Sequence, residues 1–181
     1  VEHIKDAAPI FGEYFDIIGL RTFPGLKDRD LDYSENVIRS LQKYCNIPVV
    51  SLESATLHPL QSLTDLITIN ENWNQSRKPK VVLTWAPHIK PIPQCVANSF
   101  AQWVNAWGKS DFVITHPEGF ELDPSFTNGA TINYDQNEAL KDADFVYVKN
   151  WSSYQNYGQV KQDGEGWMLT EKHMSLTHDA R

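Results

Sequence analysis

Residues 80–115 read KVVLTWAPHIKPIPQCVANSFAQWVNAWGKSDFVIT, and this stretch decides the fold. Lys80 to Trp85 is a strand-sized apolar run without alternation, the pattern of a strand buried on both faces of a parallel sheet. Ala86 to Pro93 is too rich in proline for regular structure. Val96 to Trp107 then reads as a helix stopped by Gly108, and Asp111 to Thr115 as a further strand. Strand, helix and strand in this order make a βαβ unit, whose two strands run parallel with the helix packed across one face.

The same alternation extends in both directions. Downstream, Ala130 to Asn133 reads as a short strand, Gln136 to Lys141 as a helix, and Asp144 to Val148 as another buried strand. Upstream, His58 to Asn74 reads as the longest helix. Pro59 suits its first position, and Leu60, Leu63, Leu66, Ile67 and Trp73 recur at three- and four-residue steps. Before it, Pro48 to Leu52 is a strand, Glu35 to Tyr44 a helix with Ser34 as its cap, and the charged segment up to Asp32 a loop. Tyr14 to Leu20 is expected to be a strand buried on both faces, with Arg21 at its carboxyl end. Glu2 to Gly12 has helical spacing, with Pro9 placed to bend or divide it. The fold class is therefore α/β: parallel sheets with helices on both faces, in two lobes joined by a long helix. The boundaries that follow are 1–57, 58–74 for the joining helix, and 75–181.

Composition narrows the function. Sixteen basic against 23 acidic residues give 16 − 23 = −7, which argues against a surface that neutralises nucleic-acid phosphates. No apolar run approaches the ~20 residues of a membrane span. Cys45 and Cys95 are the only cysteines and have no metal-ligand spacing, so no metal site is expected and a reducing cytoplasm fits. There is no Gly-x-Gly-x-x-Gly after a strand, no Walker loop and no Gly-x-Ser-x-Gly elbow. His3, His173 and His178 read as surface residues.

Ligands of open α/β sheets bind outside the strand carboxyl ends, which singles out Arg21, Glu53, His58, His88, His116 and Lys149. His58 and Gln61 share one face of a helix's first turn, beside free N–H groups and the positive end of its dipole. Such a face suits a carbonyl and an amide of a small acyl compound. The plain alternatives are a capping histidine with a solvated glutamine, an Arg21 bridge to Asp16 or an acidic loop residue, and a Lys149 that merely reaches into water.

His58-Pro59-Leu60-Gln61-Ser62-Leu63-Thr64-Asp65-Leu66 resembles the His-Pro-x-Gln helix of the aspartate and ornithine carbamoyltransferase family. The resemblance continues in order through Asp16 to Phe23, Trp85 to His88, Val96 to Ser99, His116 to Pro124 and Asp144 to Trp151. It implies two Rossmann-like lobes, the first incomplete, and no cofactor. It implies that Arg21, His58 and Gln61 contact carbamoyl phosphate, with Arg21 and His58 as the catalytic donors, and that Glu53, His88 and Lys149 contact the acceptor. Within the family the chain is most similar to the branch that acts on an N-acylated ornithine, because a tryptophan-proline loop, Trp85 to Pro93, replaces the aspartate-rich loop of the ordinary enzyme. N-succinylornithine is the implied acceptor, N-acetylornithine or free ornithine the alternatives, and a homotrimer the implied assembly. A non-catalytic binding module with the same fold is the reading from another class. The chain opens at Val1 and ends at Arg181, after a short helix expected over Glu171 to Leu176, so it is expected to be a fragment. The family's Ser-x-Arg-Thr and His-Cys-Leu-Pro segments would lie outside it, and the 181-residue species alone is expected to fold but to be inactive.

Overall fold

The computed structural model describes residues 3–160 and 164–181. Two parallel sheets form. In the first, β1 (Ile18–Arg21) pairs with β2 (Val49–Glu53). Helix α1 (Ile4–Tyr14) precedes β1, and α2 (Arg29–Tyr33) and α3 (Asn36–Tyr44) lie between the two strands. After β2 comes α4 (Pro59–Glu71). The second sheet then follows, with β3 (Lys80–Trp85), α5 (Cys95–Trp107), β4 (Asp111–Thr115), α6 (Pro124–Thr127), β5 (Thr131–Asn133), α7 (Gln136–Leu140) and β6 (Phe145–Lys149). Its strand order is β5-β4-β3-β6, all parallel. A 3₁₀ turn, Gly164–Trp167, and α8 (Glu171–Met174) end the described chain.

β3 sits at the centre of the second sheet because it has apolar residues for both faces. Val81, Leu83 and Trp85 point to a core shared with Ala97, Phe100 and Val104 of α5 and Ile69 of α4. Val82 points the other way, onto Ala139, Leu140 and Ala143. Helices therefore cover both faces, as the continuous apolar run demands. At about 25 cal/mol per Å² of apolar surface, each buried Val, Leu, Ile or Phe side chain among these contributes roughly 1.5–3 kcal/mol. α5 stops at Gly108, which adopts a left-handed φ of 65°.

The first sheet departs from expectation. Tyr14 closes α1, which runs undivided through Pro9, and Phe15 and Ile17 are more than half exposed. Only Ile18 to Arg21 is strand, and its residues alternate between half-buried and exposed. Ile18 and Leu20 pack toward Ala8 of α1 and Leu41 of α3, so β1 is covered on one side and not on both. The segment expected to be a loop folds into α2, capped by Asp28, whose carboxylate accepts from Leu31 N. Ser34 ends α2 and does not cap α3. The α3 cap position is Glu35, whose φ is 53° and whose side chain is engaged elsewhere. Its Oε1 accepts from Ser54 Oγ, Thr56 N and Thr56 Oγ1 at 2.6–2.8 Å. α4 ends at Glu71, short of Asn74, and is matched in length by α5. Glu2, the first residue of the expected N-terminal helix, lies outside the described residues. No helix among the described residues is long and apolar enough to cross a membrane.

Candidate functional site

Parallel pairing places Arg21 opposite Glu53 at the carboxyl ends of β1 and β2. There Arg21 Nε donates to Glu53 Oε2 at 2.7 Å. Glu53 is buried while the Arg21 side chain is 58% exposed, so the guanidinium spends one N–H on the carboxylate and turns its terminal amino groups outward. Asp16 does not take part. The chain then makes a tight turn, with Ser54 N donating to Leu57 O, and delivers His58 to the start of α4.

His58 occupies the cap position without capping, since its side chain makes no bond to the helix's own N–H groups. Its Nε2 lies 3.6 Å from Glu53 Oε2 instead, and its Nδ1 is buried without a hydrogen-bond partner among the described residues. A buried ring nitrogen left open is costly unless a ligand engages it. Pro59 has no N–H, and the next N–H groups of the first turn are free as in any α-helix. One turn along, Gln61 Nε2 donates to Asp65 Oδ1 at 2.9 Å, so this glutamine is held rather than solvated.

α5 closes the other side. Cys95 Sγ donates to Glu53 Oε1 at 3.3 Å, which makes Glu53 the meeting point of Arg21, His58 and Cys95. Burial, then the Glu53 charge, push the Cys95 thiol up to about 12, which keeps it a donor at neutral pH. Asn98 Nδ2 donates to Thr56 O and to Tyr33 Oη, and Tyr33 Oη donates to Gln94 Oε1. These bonds fasten the start of α5 to the loop that carries His58. Sequence reasoning passed over Cys95. The available signal was its place just after the loop that leaves the carboxyl end of β3.

Lys149 ends β6, aligned with Trp85. It forms no ion pair with a described residue, and its charge favours the ionised forms of both Asp65 and Cys95. His88 is not brought there. It is exposed on the loop after β3, where its Nδ1 accepts from Lys90 N at 3.1 Å. His116 is buried beside Tyr134 and Trp151 with Nδ1 against Pro117 O, and burial lowers its pKa. Its partners are those of a packed core residue. Of the histidines expected on the surface, His3 accepts from Lys5 N, His173 accepts from Thr170 N, and His178 lies 3.3 Å from Asp144. Among the described residues no group of three or more His, Cys, Asp or Glu side chains is placed to hold a metal ion.

The strand ends and the start of α4 thus bring together an exposed guanidinium and a helix amino end, which suit an anion, with a ring nitrogen and an amide, which suit a small polar acyl group. The chain is similar to known proteins in sequence and in fold. Residues 1–71 match the family described as aspartate/ornithine carbamoyltransferase, carbamoyl-P binding domain. An N-succinylornithine carbamoyltransferase of Bacteroides thetaiotaomicron is 50% identical over 181 residues, which are 99% of this chain and 56% of that relative. An N-acetylornithine carbamoyltransferase of Xanthomonas axonopodis pv. citri is 29% identical over 197 residues, covering 98% and 57%. Among solved structures, N-acetyl-L-ornithine transcarbamylase superposes with a TM-score of 0.89 at 29% identity, over 99% of this chain and 60% of that one. Acetylornithine transcarbamylase complexed with acetylcitrulline gives 0.88 at 28%, over 99% and 59%. The chain spans little more than half the length of the curated relatives it matches.

Proposed function

We propose that this chain, whose residues 1–71 match the aspartate/ornithine carbamoyltransferase carbamoyl-P binding domain and which is 50% identical to an N-succinylornithine carbamoyltransferase, supplies much of the site of an enzyme that transfers the carbamoyl group of carbamoyl phosphate to the δ-amine of N-succinylornithine. The observation that carries the reading is the contact of Arg21 and His58 with one buried carboxylate, Glu53, at the amino end of α4. That arrangement sets the Arg21 guanidinium and the His58 ring next to each other at a helix amino end before any ligand arrives, where polar groups aimed at a developing oxyanion stabilise it.

In this reading the uncharged δ-amine attacks the carbamoyl carbon. Arg21 and His58 donate to the carbonyl oxygen as its charge grows, and Gln61 accepts from the carbamoyl NH₂. The bond from carbon to the phosphate oxygen then breaks, inorganic phosphate leaves with the electron pair, and the attacking nitrogen loses a proton. Glu53 and Lys149 contact the acylated ornithine, with Lys149 toward a carboxylate, and His88 is left out because the loop after β3 holds it exposed against Lys90. Residues 1–57 then belong to the carbamoyl phosphate lobe, 58–74 join the lobes, and 75–181 belong to the acceptor lobe. The product is N-succinylcitrulline, and the proposal extends to a homotrimer working in the cytoplasm in arginine biosynthesis.

Support for the succinyl branch comes from 50% identity to an N-succinylornithine enzyme against 29% to N-acetylornithine enzymes. A colorimetric citrulline assay on the natural full-length protein, with the three acceptors compared, is expected to rank N-succinylornithine first by kcat/KM. Faster use of N-acetylornithine or ornithine overturns the branch. No citrulline from any of them returns the chain to a binding module.

A further inference from the structure

We propose that Asp65 fixes the orientation of the Gln61 amide and thereby makes the site prefer a carbamoyl group over an acetyl group. This rests on the reading of Gln61 as a contact of the carbamoyl NH₂. The two residues lie four apart on α4, so their side chains meet on one face, and Gln61 Nε2 donates to Asp65 Oδ1 at 2.9 Å.

A glutamine amide presents a donor on one side and an acceptor on the other, and nothing in its own shape decides which faces out. An ionised carboxylate decides it, because it accepts and cannot donate. With its NH₂ turned to Asp65, Gln61 points Oε1 away from that residue, and this oxygen accepts from no described residue. It is available to the NH₂ of a carbamoyl group. The methyl of an acetyl group, of nearly the same size, has no proton to give it. A pocket built to accept an N–H rejects the analogue without one, since the acceptor is then desolvated and unpaired.

Burial is the largest influence on Asp65 and raises its pKa overall, while the Gln61 bond, Tyr147, His58 and Lys149 act the other way and limit the rise. Tyr147 lies on β6 and Lys149 ends it, so Asp65 is set between the glutamine of α4 and the strand whose end carries the unpaired lysine.

Asp65→Asn tests the proposal. Its side chain keeps the size but gains an NH₂ that donates to Gln61 Oε1 and lets the amide turn over. By calorimetry on the natural full-length protein with carbamoyl phosphate, acetyl phosphate and inorganic phosphate, wild type is expected to bind carbamoyl phosphate about tenfold tighter than acetyl phosphate. The variant should bring that ratio toward one and leave inorganic phosphate unchanged. Equal weakening of all three ligands means that Asp65 only supports the helix, and equal wild-type affinities for the two acyl phosphates mean that no preference exists. Either outcome overturns the proposal. The Gln61 side-chain amide signal in a ¹⁵N-labelled, ligand-free sample is the second measurement. It should move in the variant, and an unmoved signal also overturns the proposal. A wild type that binds neither acyl phosphate sinks the functional reading, and the amide signal then decides the Asp65 contact alone.

Discussion

His58→Ala and His116→Ala are expected to fail in opposite ways. Both histidines follow apolar elements and both carry polar ring atoms in the interior, yet their contacts differ. The His58 ring is partly exposed, its Nε2 lies 3.6 Å from Glu53, and its Nδ1 has no partner among the described residues. Removing it leaves Glu53 with Arg21 and Cys95, so no buried charge is orphaned and stability should fall by less than about 1 kcal/mol. If the ring donates to the carbonyl oxygen in the transition state, its loss costs ~3 kcal/mol there, or about 10²-fold in kcat. His116 is 1% exposed, edge-on to Tyr134 and Trp151 at 5.3 and 6.2 Å. Its truncation leaves a cavity under the loops after β4 and β6, for which about 3 kcal/mol is expected, with kcat per folded molecule changed only a few fold. Urea unfolding and the citrulline assay on the same preparations measure both. Equal kcat losses, or a larger stability loss in His58→Ala, would refute the assignment and return His58 to a structural role.

Two further outcomes follow from the packing. Burial pushes the Asp144 carboxyl up, but Arg77, Lys80 N and His178 outweigh it and hold it below the usual carboxylate range. Its stabilisation is therefore complete above ~3.9 and is lost as pH falls through the lower folded value. Arg77→Ala should be less stable than wild type at pH 7, with the gap closing in urea titrations carried down toward pH 3; a constant gap counts against the ion pair. Gly158→Ala is expected to destabilise by roughly 1–3 kcal/mol, because φ is 75° and an added Cβ would press on the Leu26 carbonyl. An unchanged unfolding midpoint would count against the close approach of Gly158 to the Leu26 carbonyl.

The second sheet was more legible in the sequence than the first, and the reason is burial. Lys80 to Trp85 and Asp111 to Thr115 form strands with the expected bounds, because a central strand needs apolar residues on both faces and the run is then unbroken. Tyr14 to Leu20 looks equally apolar, yet only Ile18 and Leu20 are packed against α1 and α3. An apolar run reports the capacity to be buried, not the number of faces that neighbours cover. Local turn chemistry was the other source of error. Ser34 is a good cap by type, but Glu35 is drawn to Ser54 and Thr56, and α3 begins after Glu35. That attraction spans some twenty residues and leaves no local trace.

The candidate site divides along the same line. Arg21, Glu53 and His58 stand at strand ends or a helix start, positions that pattern reading locates, and parallel pairing necessarily puts Arg21 beside Glu53. His88 satisfies the same rule and is nevertheless exposed, because the proline-rich loop after β3 carries it outward to Lys90. Cys95 and Asp65 satisfy no such rule. Each acts through a partner: Cys95 through a carboxylate on a strand of the other sheet, and Asp65 through a glutamine one turn away on its own helix. The spacing of Asp65 was visible, since four residues on a helix is contact distance. What was not visible is which end of the Gln61 amide faces the carboxylate, and that orientation sets whether the free end accepts a proton or offers one. Chemistry at this crevice therefore depends on hydrogen-bond direction as much as on residue type, and direction emerges only once α4 has fixed where both side chains point.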